Sequence, residues 1–130
     1  MEALLSVGLY ELHHESVHRL SYGQQRLLEL ACAIVAKPRV LLLDEPAAGL
    51  SAQESNGLAA RIRKLQHQGM AIILVEHKMS FVMSLCQSIS VLDFGKLIAN
   101  GSPSEIQRNE QVIEAYLGTA VRQDTRHADR

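Results

Sequence analysis

Tryptophan is absent from this 130-residue chain, and aromatic residues make up only 4% of it. Hydrophobic residues nevertheless reach 47%, so the core has to be built from aliphatic side chains. The formal net charge is −1, and there is no basic excess of the kind that binds nucleic acid. The length suits one modest domain. These quantities favour a single domain with an aliphatic core and no nucleic-acid partner.

Long apolar runs and closely spaced cysteines are also missing. Runs such as residues 70–75 fall far short of the ~20 apolar residues that a membrane helix needs, and no charged-then-apolar start resembles a signal peptide. Cys32 and Cys86 stand in apolar contexts, far from a C-x-x-C spacing, which favours two buried free thiols. We expect a chain that does not itself span a membrane and that a partner can hold at one.

Serine residues followed three positions later by Gln or Glu predict where the longer helices begin. Such capping boxes satisfy free backbone amides at a helix start, and they occur at Ser21 and Ser51. Ser102 is followed by a proline at the first helical position and a glutamate at the third, which is another helix start. The apolar periodicity predicts that these helices extend to about residues 35, 68 and 117. Shorter helices are predicted within residues 1–12 and 78–86.

Short aliphatic runs predict the strands. Residues 40–43 (VLLL) and 71–75 (AIILV) do not alternate with polar residues, which is typical of parallel strands buried on both faces. Joined by the helix from Ser51, they form a βαβ unit with a right-handed crossover. Residues 88–93 and 96–100 predict a hairpin that turns at positions 94–95.

Polar side chains follow both predicted parallel strands. Asp44 and Glu45 come directly after the first strand, and His77 follows the second. In open α/β sheets, ligands bind at this edge. A carboxylate there can hold Mg²⁺, usually through water, and its neighbour can act on an attacking water. The alternative is that these residues merely end two strands in polar groups.

The helix that starts at Ser21 is a second candidate site. Residues 21–23 offer free backbone amides, a hydroxyl and the positive end of the helix dipole, which together suit a phosphate. Gly23 has no side chain to prevent a close approach. The alternative is that residues 21–23 only cap the helix. Likewise, Gln24 could be an ordinary surface residue of this helix, and Ser51 could be only the N-cap of the next one.

In this order and at this spacing, the motifs resemble those of the ATP-binding-cassette family. Residues 20–24 (LSYGQ) match its signature, with Tyr22 where glycine is commonest, and residues 40–44 match its Walker B strand. Residues 47–51 occupy the place of the D-loop. The terminal stretch 112–118 is similar to the last helix of ATP-binding subunits of branched-chain amino acid importers.

The resemblance implies an α/β fold. It corresponds to the C-terminal portion of a P-loop NTPase (RecA-like) nucleotide-binding domain, with parallel strands, flanking helices, a terminal β-hairpin and C-terminal helices. No G-x-x-x-x-G-K-[ST] phosphate loop occurs in the sequence. Within a partial domain over 1–118, the implied parts are the end of a helical subdomain (1–37), a core (38–101) and C-terminal helices (102–118). Residues 119–130 are expected to be a flexible tail.

The resemblance also implies residue roles, in a family where two nucleotide-binding domains enclose two ATP molecules head to tail. Asp44 would support Mg²⁺ through a water molecule. Glu45 would be the catalytic carboxylate that polarises the attacking water, and His77 the switch histidine that contacts the γ-phosphate. The residues implied in binding ATP are Ser21, Tyr22, Gly23, Gln24 and Ser51.

The implied function is that of an ATP-binding subunit, present as a fragment, which couples ATP binding and hydrolysis to uptake of branched-chain amino acids or related solutes. Its implied partners are a second nucleotide-binding domain, transmembrane permease subunits and, indirectly, a periplasmic or extracellular substrate-binding protein. The implied location is the cytoplasm, at the inner face of the cell membrane.

Without a phosphate loop in the sequence, we expect no hydrolysis by the isolated chain. The alternative function is that of a non-hydrolysing remnant or interaction module that pairs with an intact nucleotide-binding domain. Because unpaired strand edges and bare apolar faces invite pairing, we also expect the isolated chain to be poorly soluble, to dimerise or to need a complementary half.

Overall fold

The computed structural model describes residues 1–116, so the predicted tail at 119–130 and the predicted end of the last helix at about residue 117 lie outside the described residues. The chain divides into two compact units, one spanning Met1–Leu85 and the other beginning at Cys86. Across residues 1–116, no helix combines the length and the apolar character needed to cross a bilayer.

The first unit contains the two longest helices, and both begin where the sequence predicted. Helix α1 spans Glu2–Val7, α2 spans Tyr22–Ile34 and α3 spans Ala52–His67. Both predicted capping boxes form: the amide of Gln24 donates to Ser21 Oγ (3.2 Å), and the amide of Glu54 donates to Ser51 Oγ (3.2 Å). The helix starts are therefore fixed by local hydrogen bonds that the sequence encodes.

Two parallel strands lie before and after α3 in the chain. Strand β1 (Val40–Asp44) pairs in parallel with β2 (Ala71–Val75), and α3 connects them. Gly69 adopts a φ of 89° just after α3, a left-handed conformation that favours glycine at a helix end. Helix α4 (Met79–Leu85) then closes the unit. The predicted βαβ unit is confirmed.

The prediction that these strands are buried on both faces is wrong for this chain. Leu42 is 70% exposed, and its register partner Ile73 is 57% exposed. Leu41, which points to the opposite face, is only 5% exposed. The physical reason is that the first unit leaves the Leu42 face of its sheet largely uncovered. The core of this unit instead lies on the other side and consists of Val7, Leu9, Leu30, Ala31, Ile34, Leu41, Ala47, Leu58, Ala59, Ile62, Leu65, Phe81 and Leu85.

The two cysteines differ in burial. Cys32 on α2 is exposed, so the prediction of a buried thiol is wrong there. Its helical neighbours Leu30, Ala31 and Ile34 occupy the buried stripe, which turns position 32 outward. Cys86 is partly buried, and this burial raises the pKa of its thiol.

The second unit starts with the predicted hairpin. Strands β3 (Ile89–Asp93) and β4 (Lys96–Gly101) are antiparallel, with a register irregularity between Val91 and Leu92. The two turn residues, Phe94 and Gly95, both have positive φ values (44° and 77°). This combination is that of a type I′ turn, whose twist matches the twist of the strands it joins.

The predicted helix from Ser102 to residue 117 is interrupted. Helix α5 spans only Pro103–Gln107, and a second helical segment covers residues 110–116. Asn109 causes the break, because its Oδ1 accepts a hydrogen bond from the amide of Val112 (3.2 Å) and so begins a new helix. Buried apolar side chains of this unit are Ile89, Ala99, Ile106 and Val112.

Candidate functional site

The carboxyl ends of β1 and β2 lie side by side and carry the first group of predicted site residues. Asp44 is in register with Val75, and the amide of Glu45 donates to the carbonyl of Val75 (2.8 Å). Glu45 has a φ of 45°, which is uncommon for a residue other than glycine. Such conformations cluster at functional sites, where the surrounding structure enforces them.

Glu45 and His77 meet at this edge, as the sequence predicted for residues that follow neighbouring strands. Glu45 Oε1 lies 3.3 Å from His77 Nδ1, and both side chains are more than half exposed. Asp44 is also exposed. The site therefore presents two carboxylates and an imidazole to solvent, where they can reach a ligand.

A buried carboxylate lies directly beneath this pair. The side chain of Glu76 is 1% exposed, and its Oε2 lies 3.6 Å from His77 Nδ1. It accepts hydrogen bonds from the amides of Ala47 (3.2 Å), His77 (2.8 Å) and Lys78 (3.0 Å). Backbone amides of this kind compensate for the loss of water around a buried charge.

The second group of predicted residues forms around the start of α2. The hydroxyl of Tyr22 donates to the carbonyl of Ala48 (3.3 Å) and accepts from Arg26 Nη2 (2.8 Å). Its ring lies against Gly49, where an added Cβ would approach Tyr22 Cε1 to 3.0 Å. Gly49 also has a φ of 73°, so the turn after β1 favours glycine for two reasons.

Gly23 brings α2 against the start of α3. It is buried, and a Cβ at this position would collide with the carboxylate of Glu54. That carboxylate accepts hydrogen bonds from the amide of Ser51 (2.9 Å) and from its hydroxyl (2.8 Å). These bonds lower the pKa of Glu54, the backbone amide having the larger effect. Ser51 is thus linked through Glu54 to the helix start at Gly23.

Capping and anion binding are compatible at Ser21. Its hydroxyl oxygen accepts from Gln24, and its amide donates to Gln24 Oε1 (2.8 Å). Because the hydroxyl acts as an acceptor in the capping box, its own proton remains to be donated. Both Ser21 and Tyr22 are exposed. The local geometry therefore leaves the phosphate-binding hypothesis intact.

Sequence reasoning did not assign Arg26 or Glu54 to the site, and it left Glu76 open as either a solvated charge or a partner of the neighbouring His77. Arg26 is bound to Glu29 (2.7 Å) and Tyr22, hydrogen bonds that raise the pKa of its guanidinium. A tyrosine and an arginine four positions apart on a helix share a face, and this spacing was the available signal. No sequence signal shows that Glu76 reaches Ala47, which is 29 positions away.

Two family profiles match this chain. The one described as "ABC transporter" matches residues 1–48, and the one described as "Branched-chain amino acid ATP-binding cassette transporter" matches residues 96–122. The chain belongs to the ATP-binding-cassette family. The resemblance carried by the signature and Walker B motifs is thereby confirmed.

Curated relatives agree with this assignment. The chain is 45% identical over 118 residues to the high-affinity branched-chain amino acid transport ATP-binding protein BraF of Pseudomonas aeruginosa, covering 90% of this chain and 46% of BraF. It is 44% identical to the corresponding LivG of Escherichia coli K12, covering 88% of this chain and 45% of LivG. The chain thus spans about half the length of the curated relatives it matches.

Solved ATP-binding cassettes share the fold. The structure of MJ1267 in its ADP conformation superposes with a TM-score of 0.83 at 25% identity, covering 90% of this chain and 48% of that one. The cbiO1 protein of Clostridium perfringens gives 0.78 at 27% identity, covering 99% and 51%. The predicted class, α/β with parallel strands and flanking helices from a P-loop NTPase fold, is therefore confirmed.

Proposed function

We propose that this cassette chain supplies the signature and Walker B part of a nucleotide-binding domain that hydrolyses ATP to drive import of branched-chain amino acids or related solutes. The observation that carries the proposal is the Glu45–His77 pair, 3.3 Å apart beside Asp44 at the carboxyl edge of a parallel sheet. Within it, we assign residues 1–37 to the end of the helical subdomain, residues 38–101 to the core, and residues 102–118, of which the structure describes 102–116, to the C-terminal helices.

The residues at the sheet edge suit a Mg²⁺–nucleotide. Within residues 1–116, no three His, Cys, Asp or Glu side chains are grouped to hold a metal ion. Asp44 would therefore hold Mg²⁺ through water, with phosphate oxygens as further ligands, which is how this ion is usually bound. When bound, the ion would neutralise charge on the phosphates.

Glu45 and His77 would then act on the γ-phosphate of ATP. The exposed Glu45 carboxylate orients and polarises the attacking water, and His77 donates a hydrogen bond to a phosphate oxygen. Phosphoryl transfer depends mainly on such positioning and charge stabilisation. Since His77 Nδ1 faces Glu45, the opposite ring nitrogen is the one directed to the phosphate.

The helix start serves a partner's nucleotide in this proposal. Ser21, Gly23 and Gln24 face the γ-phosphate of an ATP held by a second nucleotide-binding domain, with Tyr22 and Ser51 beside them. Support comes from the exposed hydroxyl of Ser21 and from the packing of Gly23 on Glu54, which fixes the helix start against the loop that carries Ser51.

The names of the relatives support a proposal for the transport partners and the location. BraF and LivG are named as branched-chain amino acid transport proteins. We infer permease subunits as the membrane partners, an indirect role for a substrate-binding protein, and a position at the cytoplasmic face of the membrane.

One observation favours the non-hydrolysing interaction module as a second candidate. The contacts of the signature side, Tyr22 with Ala48 and Gly23 with Glu54, are complete within this chain, whereas the sequence contains no phosphate loop. Such a chain could complete the site of an intact partner without hydrolysing ATP at its own.

Complementation with part of a relative tests the proposal. The chain is produced together with the portion of BraF that its match does not cover, and ATP hydrolysis by the purified pair is measured. Glu45→Gln should lower the rate by about 10²-fold or more, because it removes the carboxylate but keeps its shape.

Glu11→Gln is the matched control, since Glu11 is an exposed carboxylate in the same unit but away from the sheet edge. It should leave the rate unchanged. Equal rates for the original pair and its Glu45→Gln form would contradict the proposal. A pair that binds nucleotide but never hydrolyses it would instead support the interaction module.

A further inference from the structure

Glu76 holds two separate loops with one buried carboxylate. Its Oε1 accepts from the amide of Ala47 in the loop after β1, and its Oε2 accepts from the amides of His77 and Lys78 after β2. Ala47 is two residues from Glu45, so this carboxylate fixes the backbone on both sides of the Glu45–His77 pair. Hydrogen bonds to an ionised acceptor are shorter and stronger than neutral ones.

The segment after β2 is anchored a second time. The ammonium group of Lys78 donates to Ser55 Oγ (3.0 Å), and Ser55 is buried on α3. Residues 76–78 are therefore tied to the loop after β1 on one side and to α3 on the other. The backbone that carries His77 has little freedom to move away from the sheet edge.

Two carboxylates approach the same ring nitrogen of His77. Its Nδ1 lies 3.3 Å from Glu45 Oε1 and 3.6 Å from Glu76 Oε2. Both acceptors stand on the Nδ1 side, so together they favour a proton on that nitrogen and set the direction of the ring. A carboxylate beside one ring nitrogen is a common device for fixing the tautomer and orientation of a histidine.

A carboxylate that only capped α4 would need nothing more than the nearby amides of His77 and Lys78. The additional bond to Ala47 and the approach to the imidazole go beyond such a cap. We propose that Glu76 is a positioning residue that holds His77 against Glu45 by joining the loops after β1 and β2. The importance of Glu76 for ATP hydrolysis rests on the proposed function, whereas its effect on the placement of His77 beside Glu45 does not.

The test is nuclear magnetic resonance on the full chain without nucleotide, comparing the original sequence with Glu76→Gln. A glutamine has one acceptor oxygen, and keeping that oxygen on His77 and Lys78 turns its amide group toward the Ala47 amide, so that two donors meet. Hydrogen exchange at the Ala47 amide should accelerate about tenfold or more, the scale expected for losing one hydrogen bond to a charged acceptor. The ring resonances of His77 should shift as well.

Glu11→Gln is again the control and should change neither signal. Unchanged His77 ring resonances and Ala47 exchange in folded Glu76→Gln would overturn the proposal. If Glu76→Gln does not fold, hydrogen exchange in the original chain still tests the proposal. The Ala47 and Lys78 amides must exchange at least about tenfold more slowly than in an unstructured peptide. Exchange at the rates of an unstructured peptide would overturn the proposal.

In the complementation pair, the same change should lower kcat while leaving the KM for ATP nearly constant, because the positioning contact acts on the reacting group. A pair that never hydrolyses ATP would defeat the proposed function. The resonance and exchange measurements would still report on Glu76 in that case, so the two failures are distinguishable.

Discussion

Gly23 is the residue at which the start of α2 comes closest to α3. A Cβ there would collide with Glu54, whose carboxylate is already engaged by the amide and hydroxyl of Ser51. Glu54 could move only by giving up those hydrogen bonds. The small residue of the signature therefore has a structural reason within this chain, independent of any ligand.

Replacing Gly23 tests this packing. Gly23→Ala should lower the free energy of unfolding by up to about 1 kcal/mol, because displacing Glu54 disrupts the cap of α3, a loss that costs up to about 2 kcal/mol, and alanine returns only about 1 kcal/mol of helix propensity. The measurement is urea denaturation followed by circular dichroism.

Gly57→Ala is the matched control, since Gly57 lies within α3 and an added Cβ would meet only the end of the Arg61 side chain at 3.3 Å. It should raise stability by about 0.5–1 kcal/mol, the usual gain for alanine over glycine in a helix. If Gly23→Ala and Gly57→Ala change the free energy of unfolding by the same amount and in the same direction, the packing of Gly23 on Glu54 does not contribute to stability.

Tyr22 shows why a residue's role is harder to predict than its place. The sequence placed it in the signature, and the structure does put it at the exposed start of α2. Its hydroxyl, however, is bound to Ala48, which is 26 positions away, and to Arg26. A bond of that separation depends on the fold of the whole unit and has no local pattern to reveal it.

At the scale of single elements, features set by near neighbours were predictable. Ser21, Ser51 and Ser102 all begin helices with capping boxes, because each box needs only residues three positions apart. The break at Asn109 was missed because the apolar pattern continues across it. The exposure of Leu42 was missed because a strand's burial depends on what covers it, which a run of aliphatic residues does not specify.

The capping box of α3 makes the stability of this element dependent on pH. The folded pKa of Glu54 lies below its ordinary value of 4.5. A lowered folded pKa adds stability that is present above the unfolded pKa and is lost as the pH falls through the folded pKa. The first unit should therefore lose stability as the pH falls from about 4.5 through the lower folded pKa of Glu54.

Glu54→Gln isolates that contribution. Glutamine at this position can still accept from Ser51, as Gln24 does from Ser21, but it does not titrate. We expect the variant's free energy of unfolding to fall less steeply than that of the original chain as the pH drops from about 6 to 3. Urea denaturation at a series of pH values measures the slope. The control Glu11→Gln should leave the dependence of the free energy of unfolding on pH unchanged. If Glu54→Gln also leaves it unchanged, the Glu54 carboxylate is not its source.

At the scale of the whole molecule, the exposed face of the β1–β2 sheet is the feature with the largest consequence. Leu42, Ile73 and Val75 are 70%, 57% and 60% exposed and lie on the same face of the two strands. Within residues 1–116, each of these strands pairs only with the other. Contiguous apolar surface and open strand edges both promote association between chains.

We therefore predict that the isolated chain self-associates and that charges on this face reduce the association. Leu42 and Ile73 are register partners, so Leu42→Lys with Ile73→Glu places opposite charges across the strands, where they attract each other. The double variant should raise the dissociation constant about tenfold or more, because burying two charges in an interface is costly. Light scattering over a concentration series measures this constant.

Phe94→Ser is the comparison for this experiment. Phe94 is 91% exposed but belongs to the hairpin turn of the second unit and not to the β1–β2 sheet. If apolar exposure alone drove association, this change would weaken it as much as the double variant does. If the open sheet face is responsible, Phe94→Ser should leave the dissociation constant where it was. A monodisperse monomer of the original chain that melts cooperatively would contradict the prediction outright, since it would mean that the face formed by Leu42 and Ile73 is stable in water without any cover.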